Sequence, residues 1–379
     1  MVDFTIDVSG MADKFLAELN NYKKSIKRPN ILILGQTGVG KSSLINCIFG
    51  KELAAVSDVK PETRGFHSYS DPNTPVNIID SEGYELDKSD EFLPALEKYV
   101  EESFNDSKKQ VHLAWYCIAT PSGRVLPFDI ENIKLLQKMQ VPVAVVFTKC
   151  DLDEPDGSIA NAMGEVIHTS FNGNVECFQT SNDKEVNETL DLKELVSWSI
   201  NNISDENLKK GFIIAQKANL DKKHETALAR IKYYTAGAAG VAVSPIPMSD
   251  ATLLVPLQIA MTADIFNIYG IDNSVSNLAK NFIQSKIISM LGKLLAGNIL
   301  KFFPGLNSWG MAINAAVAMT ITAGMGYAMC EVARQAIENE LEGSELVENI
   351  FSEENLNKAF EHGFAEAKAE SETKKEADE

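Results

Sequence analysis

The sequence predicts an α/β fold with a largely parallel sheet in its first half, followed by a helical second half. Residues 31–34 and 143–147 are short apolar runs, and such runs bounded by turn signals are typical of buried strands in a parallel sheet. The first run leads into a glycine-rich loop and then into a helical pattern at residues 43–49. In the second half, long stretches rich in small apolar residues favour a helical bundle.

The glycine-rich loop has the pattern of a phosphate-binding loop. It comprises Gly35, Gln36, Thr37, Gly38, Val39, Gly40, Lys41 and Ser42, and Ser43 continues into the helix. Its glycines allow backbone N–H groups to turn inward around a polyphosphate, at the positive end of the following helix. Lys41 supplies a positive charge for the β- and γ-phosphates, and the Ser42 hydroxyl is a candidate Mg²⁺ ligand. The strand–loop–helix context is the one that this motif requires.

Thr148, Lys149 and Asp151 follow the second buried strand and indicate which base is bound. The Asp151 carboxylate can accept hydrogen bonds from the ring N–H and the amino group of guanine, whereas adenine lacks this pair of donors. A site built around a hydrogen bond strongly rejects an analogue that lacks it. The stem of Lys149 can lie along the face of the base. Because ligands gather at the carboxyl ends of parallel strands, this position predicts a guanine site.

Residues between these two motifs are candidates for sensing the γ-phosphate. Residues 76–79 predict a strand, and Asp80 follows where a carboxylate can hold Mg²⁺ through water. The N–H of Gly83 can approach the γ-phosphate because glycine has no side chain. Thr63, in a polar stretch without periodicity, is predicted to lie in a switch loop and to give Mg²⁺ a second hydroxyl ligand, with an ordinary turn as the alternative. The predicted catalytic groups are Lys41, Thr63 and Gly83.

A further strand is predicted at residues 175–178, as the sixth strand of the chain, and a polar loop follows it. Ser181 and the backbone of Asn182 in this loop are candidates to contact the carbonyl oxygen of guanine. The position of the loop after the other motifs supports this assignment more than its own residues do.

Taken in order, these five elements resemble the P-loop GTPases of the translation-factor-related class, nearest to the branch of Era, TrmE and the septins. The resemblance covers residues 29–203. It implies a mostly parallel sheet with helices on both faces, binding of GTP or GDP with Mg²⁺, and a conformational switch upon hydrolysis. Residues 243–250, 257–261 and 269–270 resemble a domain of unknown function that follows Era-like GTPase domains in bacteria.

Two positions depart from related GTPases. Ras-like GTPases carry a glutamine after the position of Gly83 to orient the attacking water, and this chain carries Tyr84. Relatives activated by potassium carry an asparagine at the position of Gly38, so activation by K⁺ is not predicted. Catalysis is therefore predicted to need a group from another subunit, from a partner or from a basic residue of this chain. Arg64 and Arg124 are the basic residues best situated by sequence, with ordinary surface arginines as the alternative.

Length and composition limit the remaining possibilities. The 379 residues suffice for a predicted N-terminal helix at 1–28, a GTPase domain at 29–203 and a helical domain with an acidic tail at 204–379. The formal net charge of −18 argues against a nucleic-acid partner, because phosphate contacts need a basic face. The five cysteines have no metal-binding spacing and the start has no signal-peptide pattern, which together favour a reduced, cytoplasmic protein.

Two stretches of the second half leave two alternatives open. Residues 235–263 and 311–330 are nearly free of charge, and the second reaches the roughly twenty residues needed to span a bilayer. Prolines and Asp250 interrupt the first stretch, and the second is rich in alanine and glycine rather than leucine and phenylalanine. This composition favours the core of a soluble bundle over membrane spans. A bundle that opens on GTP binding would join both alternatives as a conditional membrane contact.

These features predict a GTP-binding switch protein that hydrolyses GTP slowly and couples its nucleotide state to a helical effector domain. Stimulation by a homodimer across the nucleotide face, or by a partner, is compatible with this prediction. Two alternatives remain open. One is a membrane-remodelling GTPase resembling the dynamins or the immunity-related GTPases, peripheral at a membrane. The other is a nucleotide-binding scaffold with little turnover.

Overall fold

A computed structural model describes residues 26–50, 60–63, 66–71, 74–81, 89–242, 249–271, 315–339 and 352–378, with the single positions 17 and 24. Two compact units are present: the first is Ile26–Asn219, and the second takes in the described residues from Leu220 onward. The predicted N-terminal helix lies almost entirely outside the described residues. Arg64, Gly83 and Tyr84 also lie outside them.

The first unit is built on one sheet in the strand order β2-β3-β4-β1-β5-β6-β7. The strands are β1 (Asn30–Leu34), β2 (Lys60–Thr63), β3 (Phe66–Asp71), β4 (Thr74–Ser81), β5 (Leu113–Ala119), β6 (Val143–Thr148) and β7 (Cys177–Gln179). Parallel pairing joins β4, β1, β5, β6 and β7, whereas β3 runs antiparallel to both β2 and β4. The predicted, mostly parallel α/β sheet is therefore confirmed.

Helices cover both faces of this sheet. They are α1 (Lys41–Phe49), α2 (Ser89–Phe104), α3 (Pro127–Lys138), α4 (Ser158–Phe171), α5 (Lys184–Asn187), α6 (Leu192–Asn202) and α7 (Glu206–Ala215). Successive side chains of a strand point to opposite faces. In β1, Ile31 and Ile33 join a core with α1, α6 and α7, whereas Leu32 and Leu34 join a core with α2, α3 and α4. Because both faces are buried, all residues of β1 after Asn30 are apolar.

Two strands at one side of the sheet, β2 and β3, were not expected from the sequence. The predicted placement of Thr63 in a loop is corrected by the structure, since its backbone ends β2 and pairs with Phe66 of β3. The predicted roles of Thr63 as a switch residue and Mg²⁺ ligand stay predictions. The pairing is irregular between Pro61 and Thr63, and β2 is an edge strand, where proline and polar residues are tolerated. A polar edge strand has no hydrophobic alternation, so periodicity could not reveal it. The strand that was predicted as the sixth of the chain is β7, the seventh in the structure.

The first unit extends past residue 203 because α7 belongs to it. This helix packs against β4, and the ring of Phe212 lies edge-on to Phe49 and Trp115 in the core. Gly211 allows the close approach, since a Cβ at this position would lie 2.1 Å from the carbonyl oxygen of Lys27. The helix that follows the GTPase motifs in the sequence is therefore part of the sheet unit's core.

The second unit is helical in all its described parts, as predicted. It contains α8 (Leu220–Ala242), α9 (Ser249–Tyr269), α10 (Ala315–Glu338) and α11 (Glu353–Asp378). The helices α8, α9 and α10 pack against one another, and α11 packs along α10. Glycines permit this packing, because a Cβ on Gly363 of α11 would lie 2.3 Å from the carbonyl oxygen of Gly324 on α10. Within the described residues, no helix combines the length and the apolar character that crossing a membrane requires.

Candidate functional site

The glycine-rich loop connects β1 to α1 at the carboxyl end of the parallel strands, where ligands bind in such sheets. Gly35 has a φ of 140°, and a Cβ there would lie 2.4 Å from the carbonyl oxygen of Cys117 on β5. Gly40 has a φ of 106° and is the N-cap of α1, with no side-chain cap. Both conformations favour glycine. Because Gly40 has no side chain, it cannot cap the first N–H groups of α1.

Lys41 is the first residue of α1, and its side chain is buried. Its Nζ donates to the carbonyl oxygens of Gly35 and Gln36, at 2.9 and 3.2 Å. An ammonium group has three donors, so these contacts hold the charge against the loop's own backbone and leave further donor capacity. Ser42 and Ser43 follow in the first turn of α1, and both are exposed.

Two side chains from the end of β6 tie the base motif to the loop. The Thr148 hydroxyl donates to the carbonyl oxygen of Val39. Lys149 has a left-handed backbone, with φ of 58°, and its Nζ donates to the carbonyl oxygen of Gly38 at 2.7 Å. The two predicted motifs are more than a hundred positions apart in the chain, and these contacts bring them together.

Asp151 and Ser181 are in direct contact at the base side of the site. The Ser181 hydroxyl donates to Asp151 Oδ1 at 2.5 Å and accepts from the N–H of Asp183 at 3.0 Å. Asp151 and Asn182 are exposed, whereas Ser181 is buried. The hydroxyl of Ser181 is therefore engaged in orienting the Asp151 carboxylate.

A cavity of about 300 Å³ joins the loop to the base motif. Its lining residues are Gly40, Ser43, Leu44, Thr148, Lys149, Asp151, Leu152, Thr180, Ser181 and Asn182. A second cavity, of about 200 Å³, is lined by the loop residues Gln36, Thr37, Gly38 and Val39. Arg124, which is exposed, also lines this second cavity.

Asp80 lies within β4, one residue before the strand ends, and pairs with Ile33, the penultimate residue of β1. Among the described residues, the buried Asp80 Oδ1 has no hydrogen-bond partner. Burial raises the pKa of Asp80 to about 6, although the positive charges of Lys41 and His67 oppose the rise. A carboxylate oxygen without a partner fits a hydrated Mg²⁺, which is bound through carboxylates and waters. The backbone of Thr63 is described but its side chain is not.

Asn187 is a buried residue of this region that the motifs did not identify. Its Oδ1 accepts from the N–H of Ser181 at 2.8 Å, and its Nδ2 donates to the carbonyl oxygen of the same residue. Asp183 begins the short helix α5 by accepting from the N–H groups of Glu185 and Val186. The N-cap pattern at Asp183 was the available sequence signal, and it does not reveal the contact of Asn187 with Ser181.

Comparison with known proteins decides the family. A family model described as 50S ribosome-binding GTPase matches residues 30–149. A probable GTP-binding protein EngB from Caldanaerobacter subterraneus is 33% identical over 147 residues, which cover 38% of this chain and 74% of EngB. The chain belongs to the Era-like P-loop GTPases. Its first unit therefore carries a GTPase domain that binds guanine nucleotides.

Other relatives match less than half of the chain. GTPase Der from Geotalea daltonii is 28% identical over 159 residues, and the match spans 41% of this chain and 35% of Der. Among solved structures, Era in complex with MgGDPNP and nucleotides 1506–1542 of 16S ribosomal RNA is 23% identical. That match has a TM-score of 0.31 and covers 48% of this chain and 58% of that of Era.

Proposed function

We propose that this protein is a GTP-binding switch that hydrolyses GTP slowly and couples its nucleotide state to the helical unit. The observation that carries the proposal is the cavity shared by the phosphate loop and the base motif. Contacts from Thr148 and Lys149 to the loop carbonyl groups hold the two halves of this cavity together. A nucleotide bound there meets phosphate-binding and base-selecting groups at the same time.

Different residues of the site bind the phosphates and the base. The N–H groups of the loop and the ammonium of Lys41 hold the phosphates. The stem of Lys149 lies along the base, and the Asp151 carboxylate accepts from the ring N–H and amino group of guanine. The N–H of Asn182 donates to the guanine carbonyl oxygen. Adenine would leave Asp151 without its donors, so the site selects guanine.

Mg²⁺ is the metal that this site would hold, through Ser42, Thr63 and Asp80. The ion neutralises charge on the β- and γ-phosphates when it is bound. Ser42, an exposed residue in the first turn of α1, and the Asp80 oxygen, which has no hydrogen-bond partner among the described residues, support this assignment. The Thr63 hydroxyl would be a further ligand of the ion, and the N–H of Gly83, which lies outside the described residues, would donate to the γ-phosphate.

Slow turnover follows from the residue at position 84. Tyr84 replaces the glutamine that orients the attacking water in Ras-like enzymes, so this chain lacks that means of positioning water. Arg124 lines the cavity beside the loop and is the basic residue best situated to assist. A second copy that docks across the nucleotide face, or a partner, supplies any further stimulation.

The partner of the helical unit is proposed to be a protein rather than RNA. The family description names a ribosome-binding GTPase, and the Era structure contains ribosomal RNA, but this chain has a formal net charge of −18. A chain with this excess of negative charge repels the phosphate backbone of RNA. Most described residues of the helical unit's charge-poor stretches are buried, so a conditional membrane contact through them would require the bundle to open on GTP binding.

Phosphate release by the full chain tests this proposal. We expect measurable turnover of GTP with Mg²⁺, at a rate that anionic vesicles do not change. Specific activity that rises with protein concentration would support assistance by a second copy. The variant Lys41→Ala should lose nucleotide binding, because it removes the loop's ammonium group. Lys138→Ala, which removes an exposed lysine from α3, is the matched control and should behave as the wild type.

Other outcomes would contradict the proposal in different ways. Binding of GTP without turnover at any concentration would instead support a nucleotide-binding scaffold. Turnover that requires vesicles would support a membrane-remodelling GTPase. Equal binding of ATP and GTP by the wild type would overturn the guanine site itself.

A further inference from the structure

We propose that Asn187 is a positioning residue that determines how strongly the site prefers guanine over adenine. This inference rests on the proposed function, since it concerns the same nucleotide site. Asn187 does not line the cavity, and its effect would pass through Ser181. Two features carry the argument: the two-point contact of the Asn187 amide with Ser181, and the contact of Ser181 with Asp151.

The amide of Asn187 forms a two-point contact with the backbone of one residue. Its oxygen accepts from the N–H of Ser181 and its nitrogen donates to the carbonyl oxygen of Ser181. Asn187 as a residue is 8% exposed, so neither contact competes freely with water. The Cys47 thiol adds a weaker contact to the same carbonyl oxygen, at 3.6 Å. The peptide groups on both sides of Ser181 are therefore held in fixed orientations.

This contact sets the direction of the N–H that follows. In a planar trans peptide, the carbonyl oxygen of Ser181 and the N–H of Asn182 point in opposite directions. Because the carbonyl oxygen is held toward Asn187, the N–H of Asn182 is directed away from Asn187. Asn182 lines the cavity. The contact thus aims a donor at the position where guanine has a carbonyl oxygen and adenine has an amino group.

The same contact also supports the carboxylate that selects the base. Ser181 is fixed by Asn187, and its hydroxyl donates to Asp151 Oδ1 at 2.5 Å. Both contacts that distinguish guanine from adenine therefore depend on the orientation of Ser181. The phosphate contacts belong to the loop at residues 35–42 and do not involve Asn187. Loss of the Asn187 amide should weaken base selection while leaving triphosphate binding in place.

Competition binding with a fluorescent GTP analogue, displaced by GTP or by ATP in the presence of Mg²⁺, tests this inference. For Asn187→Ala we expect GTP affinity to fall about tenfold to a hundredfold, the scale of losing one or two buried hydrogen bonds. ATP affinity should change much less, so the ratio of the two affinities falls. General loosening of the fold would lower both affinities together and leave the ratio unchanged.

Two further variants keep the test decisive. Asn187→Asp has the same shape and keeps an acceptor for the Ser181 N–H, but it loses the donor to the carbonyl oxygen, so the ratio should fall as well. Asn219→Ala removes another buried amide of the same unit, which contacts Lys193 and Ser197, and should preserve the ratio. A wild-type ratio in a folded Asn187→Asp protein would overturn the inference. A wild type without any preference for GTP would overturn the proposed function instead.

Discussion

Asp80 has a carboxyl group that is largely buried, with one oxygen that has no hydrogen-bond partner in the part of the chain that the structure describes. Its pKa is raised to about 6 because burial disfavours the charged form more than the charges of Lys41 and His67 favour it. The folded protein therefore binds this proton more tightly than the unfolded chain does. The stability that the group contributes is fully present below about pH 4 and is lost as the pH rises toward 6. A bound cation would offset this cost at neutral pH.

Replacing Asp80 with asparagine should make the nucleotide-free protein more stable at pH 7. The variant carries no charge to bury, so we expect a gain in the free energy of unfolding of about 2 kcal/mol. The gain should disappear near pH 4, where the wild-type carboxyl is protonated. Asp80→Asn should also lose the increase in GTP affinity that Mg²⁺ gives the wild type. Thermal melting at both pH values and calorimetry with and without Mg²⁺ measure these effects.

Asp129 offers the control for this variant. It is also buried, but its oxygens accept from the hydroxyl of Tyr116 and the N–H of Leu126. Asp129→Asn should therefore lower stability at pH 7, because it weakens a satisfied network. An Asp80→Asn protein that melts no higher than the wild type at pH 7 would contradict our account of Asp80.

At the scale of elements, the segment formed by β1, the phosphate loop and α1 was the part that the sequence predicted best. Its strand is a continuous apolar run, its glycines are needed by the backbone, and its helix has apolar periodicity, so each signal is local. The antiparallel pair β2 and β3 had no comparable signal, because a polar edge is specified by its pairing partner. The contact of Asn187 with Ser181 also arises from folding and has no motif.

Two glycines of the loop should differ sharply in their tolerance of alanine. A Cβ on Gly35 would lie 2.4 Å from the Cys117 carbonyl oxygen, and both β5 and the loop would have to shift. On Gly38, with φ of 78°, a Cβ would meet no described atom within 4 Å. We expect Gly35→Ala to cost about 2 kcal/mol or more and to abolish GTP binding. Gly38→Ala should cost only about 1 kcal/mol of backbone strain.

Urea unfolding and calorimetry on the two variants measure this difference. The substitutions are chemically identical and lie three positions apart, so each serves as the control for the other. Equal losses of stability in both would show that the approach of the loop to β5 does not restrict Gly35.

At the scale of the whole molecule, the sequence predicted the two fold types and the order of the nucleotide motifs. Motifs at strand ends could be combined into one site because parallel strands bring their carboxyl ends together. The helical unit was predicted as a type but not in its helix limits, since residues 235–263 and 311–330 carry few charges or turn signals. Their described parts lie within α8, α9 and α10. Residues 243–248 and 311–314 fall outside the described part of the chain.

The most direct test of the account is the nucleotide preference of Asp151→Asn in the full chain. An amide can donate where the carboxylate accepted, so it suits the extra carbonyl oxygen of xanthine. We expect GTP affinity to fall about a hundredfold or more and XTP to become the preferred ligand. Asp153 is a nearby carboxylate that accepts from N–H groups in the first turn of α4. As the control, Asp153→Asn should keep the wild-type preference for GTP. Undiminished preference for GTP in Asp151→Asn would contradict the guanine site.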